Sequence, residues 1–350
     1  MKNKNYFKIN LIYFTAILSI AVLFVLSYFG VVVNEWLSSF LIQIVVMAAI
    51  PMLMYSLLIS KSFKGTLKNL GFNKIGKKTL LIVILLGFIL YFLNSYIATF
   101  FSSILTMFGY EKLPIQSTTT DTINTATILK EFLLTAILPG ICEEILHRGV
   151  ILNGAKKVYN TRYCLIISSI LFGLAHLNIN QFFYAAILGY FMGYINLITD
   201  RIYPSMIIHF MNNFLSVYFS YGLALDLPFT KLVNTIETFF ASNIILFIMA
   251  TTVGIMLILA LYHYLTKILI KERAKNDLKK LVASLKLNQV PLIEAQVRIN
   301  QANKILKDRS VLFYNNKKKL KPNFVDNIFL ISSFILGITI TICSFIWGII

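Results

Sequence analysis

Apolar residues in this chain come in runs long enough to cross a bilayer core, which is about 30 Å thick and takes roughly 20 helical residues. Nine such runs are read, at about 9–33, 36–60, 79–108, 128–152, 163–178, 182–199, 203–222, 241–267 and 324–350. The pattern predicts an all-α, polytopic transmembrane helix bundle of about nine spans. The fifth and sixth runs are short, so one of them is expected to be broken or tilted. The first run is too long for a removable signal peptide and lacks its small-residue cleavage site, so it is read as a helix.

Composition agrees with the pattern. Hydrophobic residues make up 58% of the 350 and charged residues 13%, and the mean hydropathy is +0.77, far from soluble norms. Lys and Arg in short loops set orientation. The N-terminus (MKNKNYFK), the 61–78 loop with its six lysines and no acid, and 153–162 with Lys156, Lys157 and Arg162 read as cytoplasmic. Loops 109–127 and 223–240 hold only Lys112 and Lys231 against Glu111, Asp121, Asp226 and Glu237. The expectation is an integral protein of a bacterial cytoplasmic membrane, with its N-terminus inside and its C-terminus outside.

The net charge of +18 would suggest nucleic acid in a soluble protein, but topology accounts for much of it and no nucleic-acid partner is expected. Fifteen Lys/Arg stand against four acids between Lys267 and Lys321. This segment, about 268–322, is read as a basic cytoplasmic amphipathic helical insert lying on anionic headgroups. A solvated helical loop is the plainer alternative. Cys142, Cys164 and Cys343 fall in or at the ends of spans, so no disulfide framework is indicated. The chain divides into N-terminal helices 1–127, a core 128–222, and additional helices with the insert in 223–350.

One stretch breaks the apolar pattern: CEEILHRG at 142–149. Ionisable groups inside a membrane are costly and are either functional or paired. Glu144 and Arg148 stand four apart, on one helix face and in the favourable order, so they read as a structural ion pair. Glu143 points about 100° away and lacks that partner, which suits a general base. His176 on the fifth run, and His209 with Asn213 one turn apart on the seventh, fall at comparable depth and could converge with Glu143. At 1.5 Å per residue, Glu143, His209 and Asn213 are expected roughly 10–15 Å from the cytoplasmic edge, with His176 about 20 Å deep.

EEILHR, then FGLAH, then HFMNN resemble the EExxxR, FxxxH and HxxxN/D motifs of the CPBP family of intramembrane proteases, which includes the Ras-converting CAAX prenyl endopeptidase and bacterial bacteriocin-processing and immunity proteins. The resemblance covers about Ile128–Tyr221, and NLGFNK at 69–74 is similar to a stretch that often precedes the family's core. It implies that Glu143 and His176 activate the attacking water, that His209 and Asn213 stabilise the oxyanion, and that Glu144 and Arg148 hold the architecture. His147 departs from the family's usual aromatic or aliphatic residue. It either bonds the Glu143 carboxylate or fills the aromatic place, the second being favoured.

The expected activity is an intramembrane endopeptidase acting on a membrane-associated peptide or protein close to the cytoplasmic side. Cofactors are expected to be none, with zinc on Glu143, His176 and His209 kept as the alternative. Asn213 favours the metal-independent route, since asparagine is a poor zinc ligand and a good oxyanion donor. HExxH and GxSxG signatures are absent. Two rivals remain: a non-proteolytic scaffold or bacteriocin-immunity protein of the same family, and a proton relay or transporter, which would be expected to show repeated halves.

Overall fold

A computed structural model describes residues 4–31, 34–111, 125–241, 244–287, 291, 293–294, 296–298, 300 and 322–349. Regular structure among them is entirely helical. Helix α1 is Lys4–Tyr28. Helix α2 (35–60) is composite: α-helical Glu35–Leu41 and Ile50–Tyr55 alternate with π-helical Ile42–Ala49 and Ser56–Ser60. A short α3, Phe63–Leu70, precedes the long α4, Lys77–Met107. Helix α5 (125–155) is again composite, with π-helical Phe132–Ile137 and Ile145–Leu152 flanking α-helical Leu138–Glu144. Then come α6 Thr161–Leu174, α7 Ile179–Thr199, α8 Tyr203–Gly222, α9 Thr230–Ala241, α10 Ile244–Leu287 and α11 Phe324–Trp347.

The widened turns have a local cause. Proline lacks the N–H for the ladder, and its ring meets the carbonyl four residues back. Pro51 and Pro139 each follow a π-helical stretch by two residues. In lipid the backbone groups so freed must be re-satisfied within the protein, which such local π adjustments allow.

Six of these helices are long and apolar enough to cross a membrane, and the chain is an integral membrane protein. The three other expected spans also fall on helices. Of these, α6 is shorter, at Thr161–Leu174, while α5 and α8 carry the polar residues of interest. Helix α10 merges the expected eighth span with the start of the basic segment: it runs 44 residues, about 66 Å, or roughly twice a bilayer core. Its Arg273 donates to the terminal carbonyls of α7, Leu197 O at 2.7 Å and Ile198 O at 3.1 Å. An amphipathic hairpin farther on lies largely outside the described residues.

Three apolar clusters are found among the described residues, the smallest around Tyr6, Leu152 and Leu165; the two larger ones build the bundle. One joins α1, α2, α5 and α11 through residues such as Ile12, Met47, Leu146 and Leu330. The other joins α4, α7, α8 and α10 through Leu86, Met192, Ile208 and Tyr262. Helix α5 reaches the second cluster by packing on α8. That approach needs Gly140, because a Cβ there would stand 2.9 Å from the Phe210 nitrogen. Cys142, Glu143 and Glu144 follow on the same turn, so the close crossing sets the two glutamates against α8.

Candidate active site

The adjacent glutamates separate as their spacing predicts. Glu144 and Arg148 are fully buried, with Nη1 of Arg148 donating to Glu144 Oε1 at 2.7 Å. The guanidinium also donates to Gly189 O at 3.1 Å and lies 4.3 Å from the Phe172 ring. One feature differs from the expectation of a simple pair: Glu144 Oε1 also accepts from His209 Nδ1 at 3.0 Å. His209 is therefore oriented from beneath by the same carboxylate. Carboxylates play this part behind functional histidines generally, fixing tautomer and ring direction.

Glu143 faces the other way, into a cavity of about 820 Å³ that His176, His209 and Asn213 also line. Three separate helical elements bring these residues to one space. His176 follows the C-terminus of α6, where its Nδ1 bonds Phe172 O at 2.9 Å. A carbonyl can only accept, so Nδ1 carries the proton in that bond, and Nε2 is left for the cavity. His209 is held the same way, through Nδ1 on a carboxylate. Asn213 donates from Nδ2 to Thr135 O at 2.9 Å and accepts on Oδ1 from Asn212 at 3.0 Å. Its second amide N–H remains.

His147 does not reach the Glu143 carboxylate. Its Nδ1 bonds the main-chain oxygen of Glu143 at 2.9 Å, and its ring packs edge-on to Phe172 and Tyr13, with centroids 5.0 and 5.6 Å away. It fills an aromatic place, the second of the two readings above.

Sequence reasoning missed Gln43, Asn94 and Asn212 at the site. Gln43 on α2 donates from Nε2 to Glu143 Oε1 at 2.9 Å across 100 positions of sequence. Asn94 on α4 donates to Asn212 at 3.1 Å, extending an amide chain through Asn213 to Thr135. A signal for the α4 residues was present: the polar Tyr91, Asn94, Ser95, Thr99, Ser102, Ser103 and Thr106 gather at three- to four-residue intervals in an apolar helix, and all line the cavity. The lining thus draws on α2 and α4 as well as on residues 128–222.

The lining also gives the cavity a direction. With Glu143 and His209 deepest, the cavity runs toward the ends of the helices opposite the lysine-rich loops, past Ser39, Gln181, Ser216 and Thr106. Ser39, Thr106 and Ser216 are exposed, whereas Glu143, His209 and Asn212 are buried. Below the floor, Leu146, His147, Arg148 and Phe172 are packed to 1% exposure or less.

Among the described residues no group of three or more His, Cys, Asp or Glu side chains is placed to hold a metal ion, and one oxygen of Glu143 is already committed to Gln43. As placed, Glu143, His176 and His209 line one cavity without converging as a ligand set.

Residues 125–215 match the family model described as type II CAAX prenyl endopeptidase, Rce1-like. The likeness to the CAAX family of intramembrane proteases is thereby shown over that segment, which holds all three motifs. No curated protein and no solved structure matches the chain.

Proposed function

We propose that this protein is an intramembrane endopeptidase that hydrolyses a peptide bond of a membrane-associated substrate by glutamate-activated water. The observation that carries the reading is the meeting of Glu143, His176, His209 and Asn213 on one cavity, with both histidines tied back through Nδ1. One Glu143 oxygen is held by Gln43, leaving the other to take a proton from water as its oxygen attacks the scissile carbonyl carbon. His176 Nε2 accepts the second water hydrogen and aims the lone pair.

The carbonyl oxygen gains the negative charge. Asn213 Nδ2 and a protonated His209 Nε2 donate to it, the latter stabilised by the Glu144 carboxylate below. Preorganised donors at this point supply a large share of catalysis in comparable sites. Collapse of the tetrahedral intermediate breaks the C–N bond, and the proton held by Glu143 passes to the leaving amine. A new carboxylic acid and a new amine result.

The experiment compares membrane and secreted peptides, by mass spectrometry, from cells making the wild-type protein or Glu143→Gln at matched abundance. A peptide cleaved only with wild type supports the reading. An identical peptide pattern, with the mutant keeping the cellular effect, replaces it with a scaffold.

A further inference from the structure

The direction of the cavity carries an inference about what enters it, resting on the peptidase reading above. We propose that the substrate is a hydrophilic, internal stretch of polypeptide that enters from the membrane face opposite the lysine-rich loops, the outer face.

Charge and geometry agree on the direction. Lys61, Lys64, Lys68, Lys74, Lys77 and Lys78 precede α4, and Lys156, Lys157 and Arg162 join α5 to α6. These mark one end of the bundle, which the positive-inside rule places in the cytoplasm. The cavity lining runs to the other end, where α4 and α8 finish and α2 and α7 begin. Toward the cytoplasm the path is closed by the Glu144–Arg148 pair and the Phe172 and His147 rings, all buried.

The wall chemistry selects the substrate. Ser103, Thr106 and Ser216 each donate their hydroxyl hydrogen to a carbonyl one turn back in their own helix, at 2.9, 3.0 and 3.0 Å. Each hydroxyl oxygen therefore offers its lone pairs as an acceptor. Such a stripe would be wasted facing lipid, but in a wet cavity it receives backbone N–H groups of an extended chain. Among the described residues no Lys or Arg lines the cavity, so the described wall offers no lysine or arginine to a free C-terminal carboxylate. A chain threading from Thr106 down to the level of Asn94 covers about 18 Å along α4. That is about five extended residues.

The test uses full-length protein in a Cys343→Ser background carrying one added cysteine at a time: Ser102→Cys or Ser39→Cys in the cavity, or Lys64→Cys in the basic loop. A membrane-impermeant maleimide is applied to sealed right-side-out and inverted membrane vesicles. The cavity cysteines are expected to label only in right-side-out vesicles, and Lys64→Cys only in inverted ones. Labelling of the cavity positions from the inverted side, or from neither side, overturns the inference. Peptide processing dependent on Glu143 is scored separately, so loss of the peptidase reading leaves the labelling pattern intact, and a reversed pattern leaves proteolysis intact.

Discussion

Glu143 and Glu144 are neighbours in sequence and opposites in surroundings. Glu144 lies in a sealed layer where every face is packed, and it holds Arg148 and His209 on one oxygen. Glu143 sits a hundred degrees around the helix, at the floor of a cavity wide enough for water and a peptide, with one neutral donor on it. The contrast shows how a single turn of helix separates support from chemistry. The fully packed layer fixes positions because it cannot relax, and the cavity layer is free to act because one oxygen is left unclaimed.

Removing support is expected to have the largest effect. Arg148→Ala leaves a buried carboxylate without its cation, a loss of about 3–5 kcal/mol of stability. Thermal unfolding in detergent should show a strongly lowered midpoint or no folded protein at all. An unchanged midpoint would mean that the layer is not sealed.

Asn213→Ala probes the other layer. Loss of one oxyanion donor elsewhere costs roughly 10²–10³ in kcat, and the same range is expected here with the unfolding midpoint nearly unchanged. A fall in stability matching that of Arg148→Ala would erase the distinction between the layers.

Gly140→Ala tests the crossing that sets both glutamates. Its Cβ would meet the backbone of Phe210 at 2.9 Å, and such overpacking costs about 1–3 kcal/mol. Stability and turnover should fall together, because α5 must move away from α8.

The mildest change is Gln43→Leu. It removes one hydrogen bond to a carboxylate, and kcat should fall roughly ten-fold, the equivalent of about 1.4 kcal/mol. KM and the unfolding midpoint should hold, a split that a merely structural glutamine would not give.

How much of this was legible beforehand follows from the reach of each interaction. The Glu144–Arg148 pair is a local contact four residues apart, so periodicity alone revealed it. The all-helical class followed from apolar runs, since backbone groups in lipid must be satisfied within helices. Gln43 was not legible, because a glutamine in an apolar run carries no mark of a partner 100 residues away. The bond from Glu144 to His209 was hidden for the same reason. The direction of the cavity was partly written in the Asn94–Thr106 stripe, but a polar stripe names its face only when the neighbours of α4 are known. The merging of the eighth span with the basic segment in α10 was missed because the run was ended where hydropathy falls, at Lys267, although no Gly or Pro stops the helix there.

The central claim is that Glu143 activates water while Glu144 does not. It is tested most directly by the rate of peptide hydrolysis by purified wild-type and Glu143→Gln proteins reconstituted in liposomes, using a substrate peptide found by the cellular comparison. General-base loss predicts a fall of about 10²–10⁴ in kcat, with the unfolding midpoint retained. A Glu143→Gln rate equal to that of wild type would contradict the account and return both glutamates to the supporting layer.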